Sequence, residues 1–243
     1  MQPKVSIIIP AFNAGSFLKQ AIASVRKQSQ KTEIILVDSG STDGAAKACQ
    51  KEVDCYIRLE QKVTPAIARN QGLTKATGRF IGFLDADDIM RDGSLMKLLK
   101  ALKETRVKVV GGYFREVIDK QGKVLASHPP PTQLPRRVQP IDYFSNSGIK
   151  PALWLYLFCR SVFDEIGVLD PSLPFAEDLD FMLRISSVSP VFHVPVDVAQ
   201  RRVHEDNFSG SWDAEAGIFR LESRQAALKM MLKLQYANQA NEE

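Results

Sequence analysis

The stretch Phe80-Ile81-Gly82-Phe83-Leu84-Asp85-Ala86-Asp87-Asp88 decides how this chain is read, because an apolar strand runs straight into three carboxylates within four residues. Strand residues alternate faces, so Asp85 and Asp87 are expected to point the same way where the strand ends, with Asp88 turned elsewhere as the cap of the next helix. Two like charges that close raise each other's pKa unless a cation sits between them, and a hard divalent ion is the usual solution. A solvated turn would explain the cluster equally well. An EF-hand loop is excluded, since Ile89 and Met90 fall where that loop needs an oxygen ligand and a glycine. What the rest of the chain brings to the cluster has to decide between the two readings.

Working outward, the chain alternates strands and helices. Lys4 to Pro10 is a β-branched run stopped by proline, which predicts a buried parallel strand. A loop, Ala11 to Gly15, leads to a helix from Ser16 with Phe17, Leu18, Ala21, Ile22 and Val25 on one face. Glu33 to Asp38 is a second strand, and a helix is expected to open after Gly44. Cys55 to Glu60 is a third strand. Thr64-Pro65 supplies a cap and a first-turn proline for a helix running to Thr77, ended by Gly78. Arg79 to Asp85 is the fourth strand. Three strand ends therefore deliver polar loops to one edge of a mostly parallel sheet, which is where open α/β sheets bind ligands.

Beyond the acidic cluster, a helix is predicted from Ser94 to Lys103 and a strand from Val107 to Phe114. A hairpin-like pair follows around Asp119-Lys120-Gln121-Gly122. Ser127 to Pro140 holds five prolines and reads as a seam between a nucleotide-facing half and a second half. Lys150 to Arg160 predicts a hydrophobic strand, and Ser161 to Ile166 a short helix ended by Gly167. Glu177 to about Ser187 is a helix, Val191 to Val203 is extended, and Asp213 to Gln235 is a terminal amphipathic helix. The fold class is α/β, a Rossmann-like central sheet flanked by helices.

Bulk properties narrow the function classes. The chain has 243 residues and a formal charge of +4, too mild to argue for nucleic acid, while an anionic small ligand is not repelled. Cys49, Cys55 and Cys159 lack metal-ligand spacing and do not form a disulfide framework, as in a reducing compartment. The amino terminus lacks a signal-peptide pattern, and no apolar run approaches the roughly 20 residues of a membrane span. A cytoplasmic chain is expected, and peripheral contact with the inner face of a membrane is compatible with this composition. Asn207-Phe208-Ser209 matches a glycosylation acceptor pattern, which is incidental without a secretory signal.

Four blocks now stand in order: VSIIIPAFNAGSFLKQAIASV, EIILVDSGSTDG, AIARNQGLTKATGRFIGFLDADD and LPFAEDLDFMLR. Together they resemble the family 2 glycosyltransferases of the GT-A fold, across nearly the whole of the first 205 residues. The resemblance implies an inverting, metal-dependent transfer of one sugar from a nucleoside-diphosphate-sugar, with UDP, GDP or dTDP as carrier, to a glycan or lipid-linked acceptor. It implies that Pro10, Ala11, Phe12, Asn13 and Asp38 hold the base and ribose and that Arg69 contacts the nucleotide side of the donor. Asp85-Ala86-Asp87 matches the family's DxD, in which Asp87 binds Mn²⁺ or Mg²⁺ and Asp85 assists through ribose or water. Asp178 of the Glu177-Asp178 pair is implied as the general base, and a crowded acidic neighbourhood should raise its pKa. His204 corresponds to a position near the diphosphate or metal, and Arg201 and Arg202 beside it would suit phosphate oxygens. Gln61 to Pro65 departs from the glycine-rich approach that often precedes the ARN helix.

On this reading a single domain spans 1–243, with a nucleotide-sugar half to 126, an acceptor and catalytic half over 127–212 and a terminal helix over 213–243. Single transfer is expected over processive synthesis, because the chain is short and has no membrane channel. A silent nucleotide-sugar or carbohydrate-binding module of the same fold is the alternative, and turnover of a nucleotide-sugar separates the two. A nucleotidyltransferase would want a basic glycine-rich loop where Pro10 to Gly15 stands, and a dinucleotide-dependent dehydrogenase would want GxGxxG there.

Overall fold

Hydrophobic β-branched residues at Val5, Ile7, Ile8 and Ile9 are wholly buried in the first strand, β1 (Val5–Ala11), which is covered on both faces and so shows no polar alternation. In the computed structural model of the chain, residues 5–131, 133–144, 147–173 and 176–205 are described. Met1–Arg202 form one compact unit and Val203–Glu243 a second, of which residues 203–205 are described. The predicted terminal helix and the Asn207 pattern lie outside the described residues.

The elements follow in chain order. Helix α1 (Phe17–Arg26) leads to β2 (Thr32–Asp38). The helix expected after Gly44 is a single turn, α2 (Ala45–Ala48), continued by a 3₁₀ turn over Cys49–Glu52. Next come β3 (Cys55–Arg58) and α3 (Pro65–Lys75), whose Thr64 cap accepts a hydrogen bond from the Ile67 amide at 3.4 Å. Then follow β4 (Phe80–Phe83), β5 (Ile89–Met90) and α4 (Ser94–Thr105). The hairpin around Gly122 joins β6 (Val109–Ile118) to β7 (Val124–Ser127). The proline-rich stretch between the end of β7 and a 3₁₀ turn over Pro140–Tyr143 holds the short β8 (Arg136–Arg137). The predicted strand before Arg160 begins as a 3₁₀ turn over Leu153–Leu155 and becomes β9 (Tyr156–Cys159). Helices α5 (Ser161–Ile166) and α6 (Glu177–Val188) precede β10 (Val191–Arg202).

The sheet runs β3-β2-β1-β4-β9-β6-β10-β5. Its first four strands are mutually parallel, whereas β9 is antiparallel to both β4 and β6. Strand order reverses at β1, so right-handed crossovers place α1 and α3 on opposite faces and open a crevice beside the end of β1. Gly72 lets α3 close on that strand, since a methyl group there would overlap the Ile8 side chain. On the other side of the sheet order, β10 pairs with β6 through three register shifts. Such bulges bend and twist a strand, and here they carry the end of β10 round to β5 and the acidic turn. No described helix is long and apolar enough to cross a membrane.

Candidate active site

Register brings the first residues together. Ala11 pairs with Asp38 and Asp38 with Arg58, so the ends of β1, β2 and β3 stand in a row. The loop after β1 is bolted to the loop after β2. Asn13, at φ 47°, accepts from the Thr42 amide at 2.8 Å through its side chain, while its own amide donates to the Ser41 hydroxyl at 3.1 Å. Asparagine tolerates this left-handed backbone better than most residues. Phe12 is exposed, and the Lys62 ammonium lies 4.5 Å from its ring centroid. Gly40 permits that approach, because a Cβ there would meet the Gln61 backbone at 2.9 Å.

Asp38 lies at the floor of this end, with 0 % exposure. One oxygen accepts from the Ser41 amide at 2.8 Å; the other accepts from the Tyr56 hydroxyl at 2.8 Å and from the Arg58 guanidinium. Burial alone would raise its pKa, but the bonds from Ser41 and Tyr56 and the charge of Arg58 outweigh it and hold the carboxyl below its ordinary value. Arg58 carries the opposite charge out to the surface of the crevice, with half of its side chain exposed. Sequence reasoning missed Tyr56 and Arg58; the only signal was that β3 would end beside Asp38.

The acidic cluster is a turn, which corrects the strand alternation expected for it. β4 ends at Phe83, and the Asp88 amide donates back to the Asp85 carbonyl at 3.2 Å. Asp85 and Asp87 are partly exposed, whereas Asp88 is buried. Nor does Asp88 cap a helix: Gly93 stands at the start of α4, and Asp88 accepts from the backbone amide of Arg202 at 2.7 Å. Burial, then the charges of Asp87 and Asp85, push its carboxyl well above the usual range.

Arg202 is a second correction. It is 1 % exposed, so its guanidinium is not available to phosphate oxygens. Its nitrogens donate to the Asp87 carbonyl at 2.9 Å, to the Asp119 carbonyl at 3.0 Å and to the Gln20 side chain at 2.9 Å, and the group lies 4.7 Å from the Phe17 ring centroid. One buried side chain thus ties the acidic turn to α1 and to the hairpin. His204 falls in the second unit, two residues past the end of β10.

Glu177 and Asp178 open α6, as expected. Glu177 is buried against the Arg69 guanidinium, whose other terminal nitrogen donates to Asp85 at 2.8 Å. Arg69 therefore faces acids of the protein from both ends of its fork. Asp178 is partly exposed and accepts from the Leu179 amide at 2.7 Å. Burial of its carboxyl, then the charge of Glu177, raise its pKa to about 7, against the opposing pull of Arg69. The expected rise is present, and desolvation is its first cause, ahead of the acidic neighbourhood.

The donor atoms set limits on a metal. Among the described residues no three His, Cys, Asp or Glu side chains group to hold an ion. Asp85 and Asp87 on one turn suit a cation such as Mg²⁺ that takes one or two carboxylates and completes its shell with water and phosphate oxygens. They do not suit an all-protein cage.

A sheet whose parallel half ends beside an aspartate turn, tied through Arg69 to a helix-borne acidic pair, defines a GT-A-like fold. Solved structures share it. The S. aureus TarS 1-349 structure in complex with UDP-GlcNAc superposes with a TM-score of 0.73 at 20% identity, covering 94% of this chain and 66% of that one. The full TarS crystal structure gives 0.67 at 20% identity, over 84% of this chain and 38% of that one. The model of glycosyl transferase family 2 matches residues 6–160, and the chain belongs to that family. Among curated relatives, the uncharacterized glycosyltransferase EpsJ of Bacillus subtilis is 29% identical over 75% of this chain and 56% of its own length. A GalNAc(5)-diNAcBac-PP-undecaprenol beta-1,3-glucosyltransferase of Campylobacter jejuni is 33% identical over 50% of this chain and 41% of its own length. The chain thus spans about half the length of these relatives.

Proposed function

We propose that this chain transfers a single sugar from a nucleoside-diphosphate-sugar to an acceptor hydroxyl, with inversion, in the assembly of a glycan or glycolipid. The observation that carries the reading is the link from Asp85 through Arg69 to Glu177, which sets the DxD turn and the base candidate Asp178 beside one crevice. Pro10, Ala11, Phe12 and Asn13, with Asp38 beneath them, form the end that takes base and ribose. Asp85, Ala86 and Asp87 take the diphosphate end. Donors of the UDP, GDP or dTDP type fit that division, and TarS in complex with UDP and with UDP-GlcNAc supports it. The Campylobacter relative's lipid-linked substrate supports a glycan or lipid-linked acceptor.

Asp178 accepts the acceptor hydroxyl's proton as its oxygen attacks the anomeric carbon from the face opposite the diphosphate. The bond from that carbon to the diphosphate oxygen breaks, the electron pair leaves with the diphosphate, and configuration inverts. With a pKa of about 7, Asp178 is basic enough to take a proton and still largely ionised just above neutrality. Asp87, with Asp85 assisting through ribose or water, would hold Mn²⁺ or Mg²⁺. That ion would supply positive charge to the leaving diphosphate.

Thermal unfolding with UDP, GDP or dTDP, each with and without Mn²⁺, tests the site. One diphosphate should stabilise the chain only when the metal is also present, by about 2.7 kcal/mol at a hundredfold excess over its dissociation constant. No stabilisation by any of the three would remove the reading.

A further inference from the structure

Arg69 touches both halves of the proposed machinery. It comes from α3, before the acidic strand, and its two terminal nitrogens diverge to Asp85 on the turn after β4 and to Glu177 at the start of α6. These partners lie 16 and 108 residues away in sequence. Its side chain is 8% exposed and that of Glu177 10%, while Asp85 keeps 34%. The remaining nitrogen, Nε, is buried without a partner. Little of the guanidinium is left to meet a donor.

Resting on the glycosyl-transfer reading, we propose that Arg69 is a positioning residue: it sets the Asp85–Asp87 turn and the Glu177-Asp178 pair at a fixed separation and does not contact the nucleotide. The chemistry requires arginine. A planar fork donates from two separated nitrogens in fixed directions, whereas the three donors of a lysine ammonium leave a single nitrogen and cannot hold two carboxylates at the same separation. Neutralising Glu177 also acts on its neighbour, since an unpaired Glu177 would press harder on the Asp178 carboxyl. The charged and titratable groups that bear on Asp178 are Glu177 beside it, Arg69 from α3, Asp85 from the β4 turn and Tyr156 from β9. Arg69 is the only cation of these four, so it keeps the base ionised as well as placed.

The test compares wild type with Arg69→Lys and Arg69→Met on four readouts: nucleoside-diphosphate affinity, donor KM, kcat and the acid limb of kcat against pH. For Arg69→Lys the expected result is a 10- to 100-fold lower kcat with affinity and KM within threefold of wild type. For Arg69→Met the acid limb should also move to higher pH, because the cation that opposed protonation of Asp178 is gone. A tenfold loss of nucleotide affinity with kcat intact at saturating donor would overturn the proposal and make Arg69 a donor ligand.

Arg69→Met strands two carboxylates, so its folding is checked against Arg69→Met combined with Glu177→Gln. The double variant should regain most of the urea midpoint that the single one loses, and no recovery would contradict the bridge. Asp178→Asn separates this proposal from the reading beneath it. Retained transfer in that variant removes Asp178 from the mechanism, while the affinity and midpoint results still decide what Arg69 holds.

Discussion

Asp178 shows how one carboxyl acquires a task from its surroundings. Desolvation and the Glu177 charge place its pKa at about 7, and the form needed for base work is the ionised one. Activity should therefore fall about tenfold per pH unit below 7 and level off above it, which a kcat profile from pH 5 to 9 checks; a profile flat to pH 5 would assign the proton to another group. Asp38 shows the opposite arrangement, fully buried yet kept ionised by Ser41, Tyr56 and Arg58. At this scale the sequence identified most acids of the site by their positions at strand and helix ends. It did not show which were surface and which floor. Asp87 and Asp88 are neighbours in sequence, and only the tertiary fold buries one of them against β10.

Elements were legible where period and punctuation agreed. The Thr64-Pro65 start of α3, the Gly167 end of α5 and the Glu177 start of α6 all lie where capping chemistry put them. The misses have a shared cause. At Leu153–Leu155 and after Phe83, chain that looks extended by composition closes into local turns, with the Leu155 amide bonded to the Ala152 carbonyl and the Asp88 amide to that of Asp85. Arg202 is the clearest case, because a cation following a predicted strand reads as a phosphate ligand until its carbonyl partners are known. Replacing it by methionine leaves the Asp87 and Asp119 carbonyls without their donor in a buried place and should cost about 3 kcal/mol. Urea unfolding measures the loss, and a variant as stable as wild type would refute the clamp.

The whole molecule carries a second titrating group, whose ring packs edge-on against Tyr156 with centroids 6.0 Å apart. His193, on β10, is 0% exposed. Burial, then the charge of Arg136, lower its pKa to about 4 from the ordinary 6.5. Between those values the unfolded chain binds the proton and the folded chain does not, so stability from this group is present above pH 6.5 and lost as pH falls to 4. Asp178, raised from its ordinary value, acts with the opposite sign over much of the same window, so the wild-type curve alone does not isolate either group. The difference between His193→Leu and wild type does. It should grow by about 3 kcal/mol in favour of the variant from pH 7 to pH 4, and a difference independent of pH would show that His193 titrates in the fold as it does in the unfolded chain.

Sheet order also belongs to this scale. The parallel half β3-β2-β1-β4 followed from alternating strands and helices, but nothing local announced that β9 enters antiparallel or that bulges bend β10 back to the acidic turn. The crevice beside β1 is a product of that order, and the account rests on its being a site of sugar transfer. The direct measurement is metal-dependent release of nucleoside diphosphate from UDP-, GDP- and dTDP-sugars by the wild-type chain, by Asp87→Asn and by Asp178→Asn. The account predicts release by wild type from one carrier only with Mn²⁺ or Mg²⁺, and at least a hundredfold loss in both variants, with Asp178→Asn still binding nucleotide. Undiminished release in the two variants would contradict it.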